Sequence, residues 1–84
     1  MFKLYDIVKL KNNRPDLGIN KNNAGTVIDI IKIEDGELYT VEFFDENNET
    51  IEDSIFVYFE DNQLLSVESP NEMVSVKLEL ASGT

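Results

Sequence analysis

Apolar residues in this chain recur at every second position, in short runs cut by Gly, Asn, Asp and Pro. A period of two sends successive side chains to opposite faces and marks a half-buried strand; an amphipathic helix needs 3.6. No stretch carries the helical period. The chain is therefore read as all-β, and its 84 residues suffice for one small domain. A core that small needs compact apolar material, which five Phe, three Tyr and the many Ile and Val supply.

The runs divide as follows. Leu4 to Lys11 reads as a first strand, with Val8 and Leu10 sharing a face with Asp6, and Lys9 and Lys11 pointing the other way. Residues 12–24 form a long loop with Asn12-Asn13, Pro15, Gly18 and Asn22-Asn23, in which Leu17 and Ile19 tuck back onto the core. Gly25-Thr26-Val27 opens a second strand running to about Ile33. Asp35-Gly36 signals a type I′ hairpin turn. Leu38 to Phe44 is a third strand, with Tyr39, Val41 and Phe43 on one face and Thr40 and Glu42 on the other. Residues 45–49 make a polar turn. Ile51 to Phe59 reads as a fourth strand, with Ile55, Val57 and Phe59 in one phase and Phe56 and Tyr58 in the opposite one. Asp61-Asn62-Gln63 forms a tight turn before a short closing strand, Leu64 to Val67. Ser69-Pro70-Asn71 interrupts, and residues 74–80 alternate again as a further strand.

Five short strands with one long first loop and tight later turns point to a small SH3-like five-stranded barrel over residues 1–67, with a linker and an additional C-terminal strand over 68–84. Closing the sheet would remove its exposed edges.

Charge constrains partners. Residues 1–33 hold six Lys/Arg and three Asp; the remaining 51 carry net −13, for −10 in total. No basic residue lies between Lys32 and Lys77. Such a surface repels phosphate backbones and anionic lipids and draws cationic partners. The absence of His and Cys removes the commonest general base, the commonest metal ligand and any disulfide. No apolar run reaches membrane-spanning length, and residues 1–11 lack a signal-peptide core. A cytoplasmic protein is expected.

The segments Leu4-Tyr5-Asp6-Ile7-Val8-Lys9-Leu10, Pro15-Asp16-Leu17-Gly18, Ala24-Gly25-Thr26-Val27, Tyr39-Thr40-Val41-Glu42-Phe43 and Asp61-Asn62-Gln63-Leu64 occur in series. In that order and spacing the chain resembles, over about residues 2–67, a family of small bacterial proteins called domain of unknown function 4926. The resemblance implies an SH3-like barrel and no activity. It also raises an immunity or antitoxin role, because some relatives accompany toxin-like genes. Asp6-x-Val8-x-Leu10 and Gly25-x-Val27 are similar, too, to barrels of translation and transcription factors, which pair the barrel with a basic surface that this chain lacks.

The acidic pairs Glu34-Asp35, Asp45-Glu46, Glu52-Asp53 and Glu60-Asp61 fall in turns or on outward faces, where they stay solvated and ionised rather than serving as a catalytic acid and base. No serine has a recognisable partner base. Asp45-x-Asn47-x-Glu49 begins like an EF-hand loop, but Thr50 stands where Gly is required and Phe56 where the bidentate Glu belongs. No catalytic residue, metal site or cofactor is expected. Lys3, Lys9, Lys11, Arg14, Lys21 and Lys32 could contact nucleic acid, but the net charge opposes it.

The expected function is a non-enzymatic acidic protein-binding module. Its sharper form is an immunity- or antitoxin-type inhibitor that occludes a basic partner. The candidate contact residues are Glu42, Asp45, Glu46, Glu49, Glu52, Asp53, Glu60 and Asp61, with Phe56 and Tyr58 as apolar anchors. Strand 74–80 could cover those two aromatics, extend the chain's own sheet or mediate a homodimer. Two other roles are an auxiliary barrel in translation or transcription, touching nucleic acid through the basic first third, and an acidic DNA mimic.

Overall fold

A computed structural model describes residues 1–67. The expected strand 74–80 and the linker before it lie outside the described residues. Among the described residues the fold is all-β, a five-stranded antiparallel sheet with three short 3-10 helices. The strands are β1 (Ile7–Leu10), β2 (Ala24–Ile33), β3 (Gly36–Phe43), β4 (Phe59–Glu60) and β5 (Leu64–Ser66). Among the described residues no helix is long and apolar enough to cross a membrane.

The sheet order is β4-β3-β2-β1-β5. The pairings end at β4 and β5, so among the described residues no β4–β5 ladder closes the sheet into a continuous barrel. The sheet nevertheless curls, because Phe59 of β4 and Leu64 of β5 join one core with Val8, Leu10, Ile19, Val27, Tyr39, Val41 and Phe43. Only the 3-10 helix Asp61–Gln63 separates the two end strands in sequence. Phe43 and Phe59 meet edge to face at 5.5 Å, a favoured aromatic geometry.

The alternation holds where it was cleanest. In β3, Tyr39, Val41 and Phe43 are buried and Thr40 and Glu42 lie on the other face. In β1, Val8 and Leu10 are buried. That strand is shorter than the pattern from Leu4 to Lys11 suggests. Asp6 N–H donates to the Lys3 carbonyl (3.1 Å) and Lys3 N–H to Asp6 Oδ2 (2.9 Å), making a turn with Tyr5 at φ 73°. The long loop tucks in as expected: a 3-10 helix, Pro15–Leu17, ends at Gly18, Arg14 bridges Ile19, and Ile19 is buried.

In β2 the register shifts between Val27 and Asp29, leaving Ile28 as an extra residue. Val27 faces Val41 and Ile30 faces Tyr39, both on the core side, although the two are three apart in sequence. A β-bulge supplies the extra residue; it turns Asp29 outward beside Thr40 and adds twist. The hairpin lies where expected but its turn is different. Ile33 pairs with Gly36, so Glu34 and Asp35 are the central residues, and neither has the positive φ of a type I′ turn. Gly36 takes the unusual conformation instead, at φ 149°.

The expected fourth strand, Ile51 to Phe59, is corrected. Residues Glu52–Phe56 form a 3-10 helix, and only Phe59–Glu60 are strand. Ser54 N–H donates to the Ile51 carbonyl at 2.9 Å, closing the first turn. Period-two reading fails here because Asp53 interrupts the phase from Ile51 to Ile55, and Ser54, a small hydroxyl residue, takes the buried place.

Candidate functional site

The 3-10 helix Glu52–Phe56 rests on β3. Ser54 is fully buried, and its Oγ accepts the Phe43 N–H at 3.1 Å. Ile51 and Val57, on either side of the helix, pack partly against the core. With one buried hydroxyl and two flanking apolar residues anchored, the turn holds its remaining side chains outward. Ser54→Ala should strand the Phe43 amide in the interior and cost about 1–3 kcal/mol. A lower urea midpoint at unchanged slope measures this; an unchanged midpoint would mean the hydroxyl does not hold the turn.

The side chains so presented are apolar and acidic. Phe56 is 76 % and Tyr58 56 % exposed. Ile55, expected inward with Val57 and Phe59, is instead 37 % exposed and adds to the same segment. Glu52 and Asp53 are exposed in the first turn of that helix, and Glu60 is exposed just beyond Tyr58. Six of the expected contact residues thus fall within ten positions, Glu52, Asp53, Phe56, Tyr58, Glu60 and Asp61. Ser54, which fixes them, gave no sequence signal of its own.

Several expected contact residues have internal roles as well. Glu42 is half-buried on the outer face of β3 and accepts the Thr50 hydroxyl at 2.6 Å. Asp45 organises its own turn, with Oδ1 accepting the Asn47 and Glu49 amides at 2.8 and 3.0 Å. That carboxylate faces backbone donors, the arrangement of a plain Asx turn. Glu60 caps the next 3-10 helix in a reciprocal pair with Gln63, whose Oε1 accepts the Glu60 N–H at 2.8 Å. Glu46 and Glu49 are exposed at the far turn, on the segment after β3 rather than on the 3-10 helix.

Asp61 belongs to a node at the opposite end of β3. It pairs with the Met1 ammonium, which holds its carboxyl below the ordinary range. The Tyr39 hydroxyl donates to Glu37 at 2.8 Å, lies 3.3 Å from Asp61 and accepts the Phe2 N–H at 3.1 Å. Burial, then the two carboxylates, push the Tyr39 phenol up to about 12. A folded-state value above the unfolded one favours the neutral phenol, so this stability is full below pH ~10 and is lost as pH rises toward 12. In a Tyr5→Phe/Tyr58→Phe variant Tyr39 is the sole phenol; its ultraviolet titration should have a midpoint near 12, coupled to unfolding. A midpoint near 10 with the fold intact contradicts the burial of the ring.

Internal pairing absorbs little of the charge split. Arg14 pairs with Asp16 inside the first third, and Lys32 reaches Glu37 at 3.9 Å from an exposed position. Among the described residues, Lys32–Glu37 is the one side-chain ion pair that joins the basic third to the acidic remainder. The negative surplus therefore faces solvent.

No curated protein and no solved structure matches this chain. One family model does, across residues 4–54, and its description is Domain of unknown function (DUF4926). The match ends at Ser54, so Phe56, Tyr58, Glu60 and Asp61 lie beyond it. Since the matched segment contains β1, β2, β3 and the start of the 3-10 helix, and spans more than half of the sequence, the chain belongs to the DUF4926 family.

Proposed function

We propose that this is a non-enzymatic, cytoplasmic protein-binding module that docks onto a basic partner through the 3-10 helix Glu52–Phe56 and the residues just after it. One observation carries the reading: two aromatics, Phe56 at the end of the 3-10 helix and Tyr58 just after it, stand open in a stretch of sequence that also carries the exposed Glu52, Asp53 and Glu60. An apolar centre with a charged rim has the composition of an interface core. The net charge of −10 selects a cationic surface and speeds encounter with it. Bound over a partner's cationic site, the module would occlude that site, which is the action of an immunity- or antitoxin-type inhibitor.

The test is affinity capture with the whole chain at low and high salt, beside Glu52→Lys/Asp53→Lys and Phe56→Ala/Tyr58→Ala. These four side chains are exposed, so the fold should survive. A basic protein retained at low salt should lose about tenfold or more in affinity to either double variant. Equal retention by the wild type and both variants would sink the proposal.

A further inference from the structure

We infer that the partner's anchoring side chain is an arginine, stacked on the open faces of Phe56 and Tyr58 and held by the neighbouring carboxylates. This rests on the acidic-docking reading above and adds the chemistry of the contact. Among the described residues, aromatic ring contacts occur at Phe2–Tyr39 and Phe43–Phe59; Phe56 and Tyr58 stack on no aromatic ring. Both rings are more than half exposed. The sequence places no Lys or Arg between Lys32 and Lys77, so no basic residue adjoins the two rings along the chain.

A ring face carries negative potential and attracts a cation. Glu52 and Asp53, exposed in the same 3-10 helix, and Glu60, two residues past Tyr58, add full negative charges. Glu60 uses one bond in its cap, and a carboxylate has room for several donors. Lysine and arginine both satisfy the charge, but only guanidinium is planar. It can lie flat on a ring while its edge donates two parallel hydrogen bonds to a carboxylate, and it sheds water more readily than ammonium. Two open rings in a segment that also carries three exposed carboxylates therefore favour arginine over lysine. The partner is a protein presenting an arginine-bearing surface segment.

Two synthetic peptides of identical sequence apart from their cations, one all-arginine and one all-lysine, separate the possibilities. Each is titrated against the full chain by fluorescence anisotropy at low and physiological salt. The arginine peptide should bind about tenfold more tightly. Phe56→Leu/Tyr58→Leu keeps apolar bulk but removes the ring faces; it should bring the arginine peptide down to the lysine level and leave the lysine peptide within about twofold. Phe56→Leu alone, which removes the more exposed ring, serves if the double variant does not fold. Equal binding of the two peptides overturns the arginine inference and leaves the acidic module standing. An arginine preference that survives loss of both rings overturns the placement on them. Failure of both peptides to bind at low salt overturns the inference and the docking reading together.

Discussion

Gly25→Ala should destabilise the protein by about 2–3 kcal/mol and lower its thermal midpoint by about 10–20 °C. Gly25 of β2 lies between Val8 of β1 and Phe43 of β3. A Cβ placed there would stand 2.7 Å from Val41 Cγ1, 2.8 Å from Phe43 Cδ1 and 3.0 Å from the Glu42 carbonyl oxygen. The first two atoms belong to fully buried core side chains and the third to the backbone of the adjacent strand. None is the loose end of a surface side chain, so relief requires the sheet itself to shift. Calorimetry or a circular-dichroism melt reads the change. A midpoint within a degree or two of wild type would mean that β2 and β3 do not approach as closely as described.

Phe43→Ala should cost more, about 3–5 kcal/mol, through lost burial and the cavity left behind. The ring is fully buried and packs edge to face on Phe59, and the same residue's amide is the donor that holds Ser54. For a domain this small that loss approaches the whole stability, so the variant should be largely unfolded at 37 °C. Phe56→Ala removes the same ring thirteen positions on, where it is 76 % exposed, and should change stability by less than about 0.5 kcal/mol. The pair of variants, compared by urea titration, separates core from surface in one experiment. Similar losses from both would contradict the exposure of Phe56 and with it the docking surface.

The sheet was largely legible because β1 and β3 have one buried face each, and alternation reports a buried face directly. The turn at Glu34-Asp35 was legible in place but not in type, since Asp-Gly serves several two-residue geometries. Ile28 as a bulge was not legible. In Ile28-Asp29-Ile30-Ile31 both phases contain isoleucine, and only cross-strand register distinguishes them. The segment from Ile51 to Phe59 failed for a related reason: five residues of 3-10 helix are too short to establish a period, and four odd-numbered apolar residues, Ile51, Ile55, Val57 and Phe59, imitate a strand. Of the surface, phase set Phe56 and Tyr58 apart from Val57 and Phe59 but allowed both an open face and one covered by strand 74–80, and the supporting element was different. What sequence could not reveal is how acids are used. Glu42, Asp45, Glu60 and Asp61 look identical to Glu46, Glu52 and Asp53 as letters, yet the first four also tie down turns, strand faces or the N-terminus.

The length of the β2–β3 hairpin bears on the route by which the chain assembles. Eight cross-strand pairs are zipped from a two-residue connection, so the loop closed first is short and its entropic cost small. The β1–β5 ladder instead joins Val8 to Ser66 and Leu10 to Leu64, more than fifty residues apart. Such distant ends are expensive to bring together before anything else has formed. The hairpin is therefore the natural nucleus, with the N- and C-terminal strands added around it. Substitutions at Val27 and Val41 should slow refolding, whereas substitutions at Leu10 and Leu64 should mainly speed unfolding.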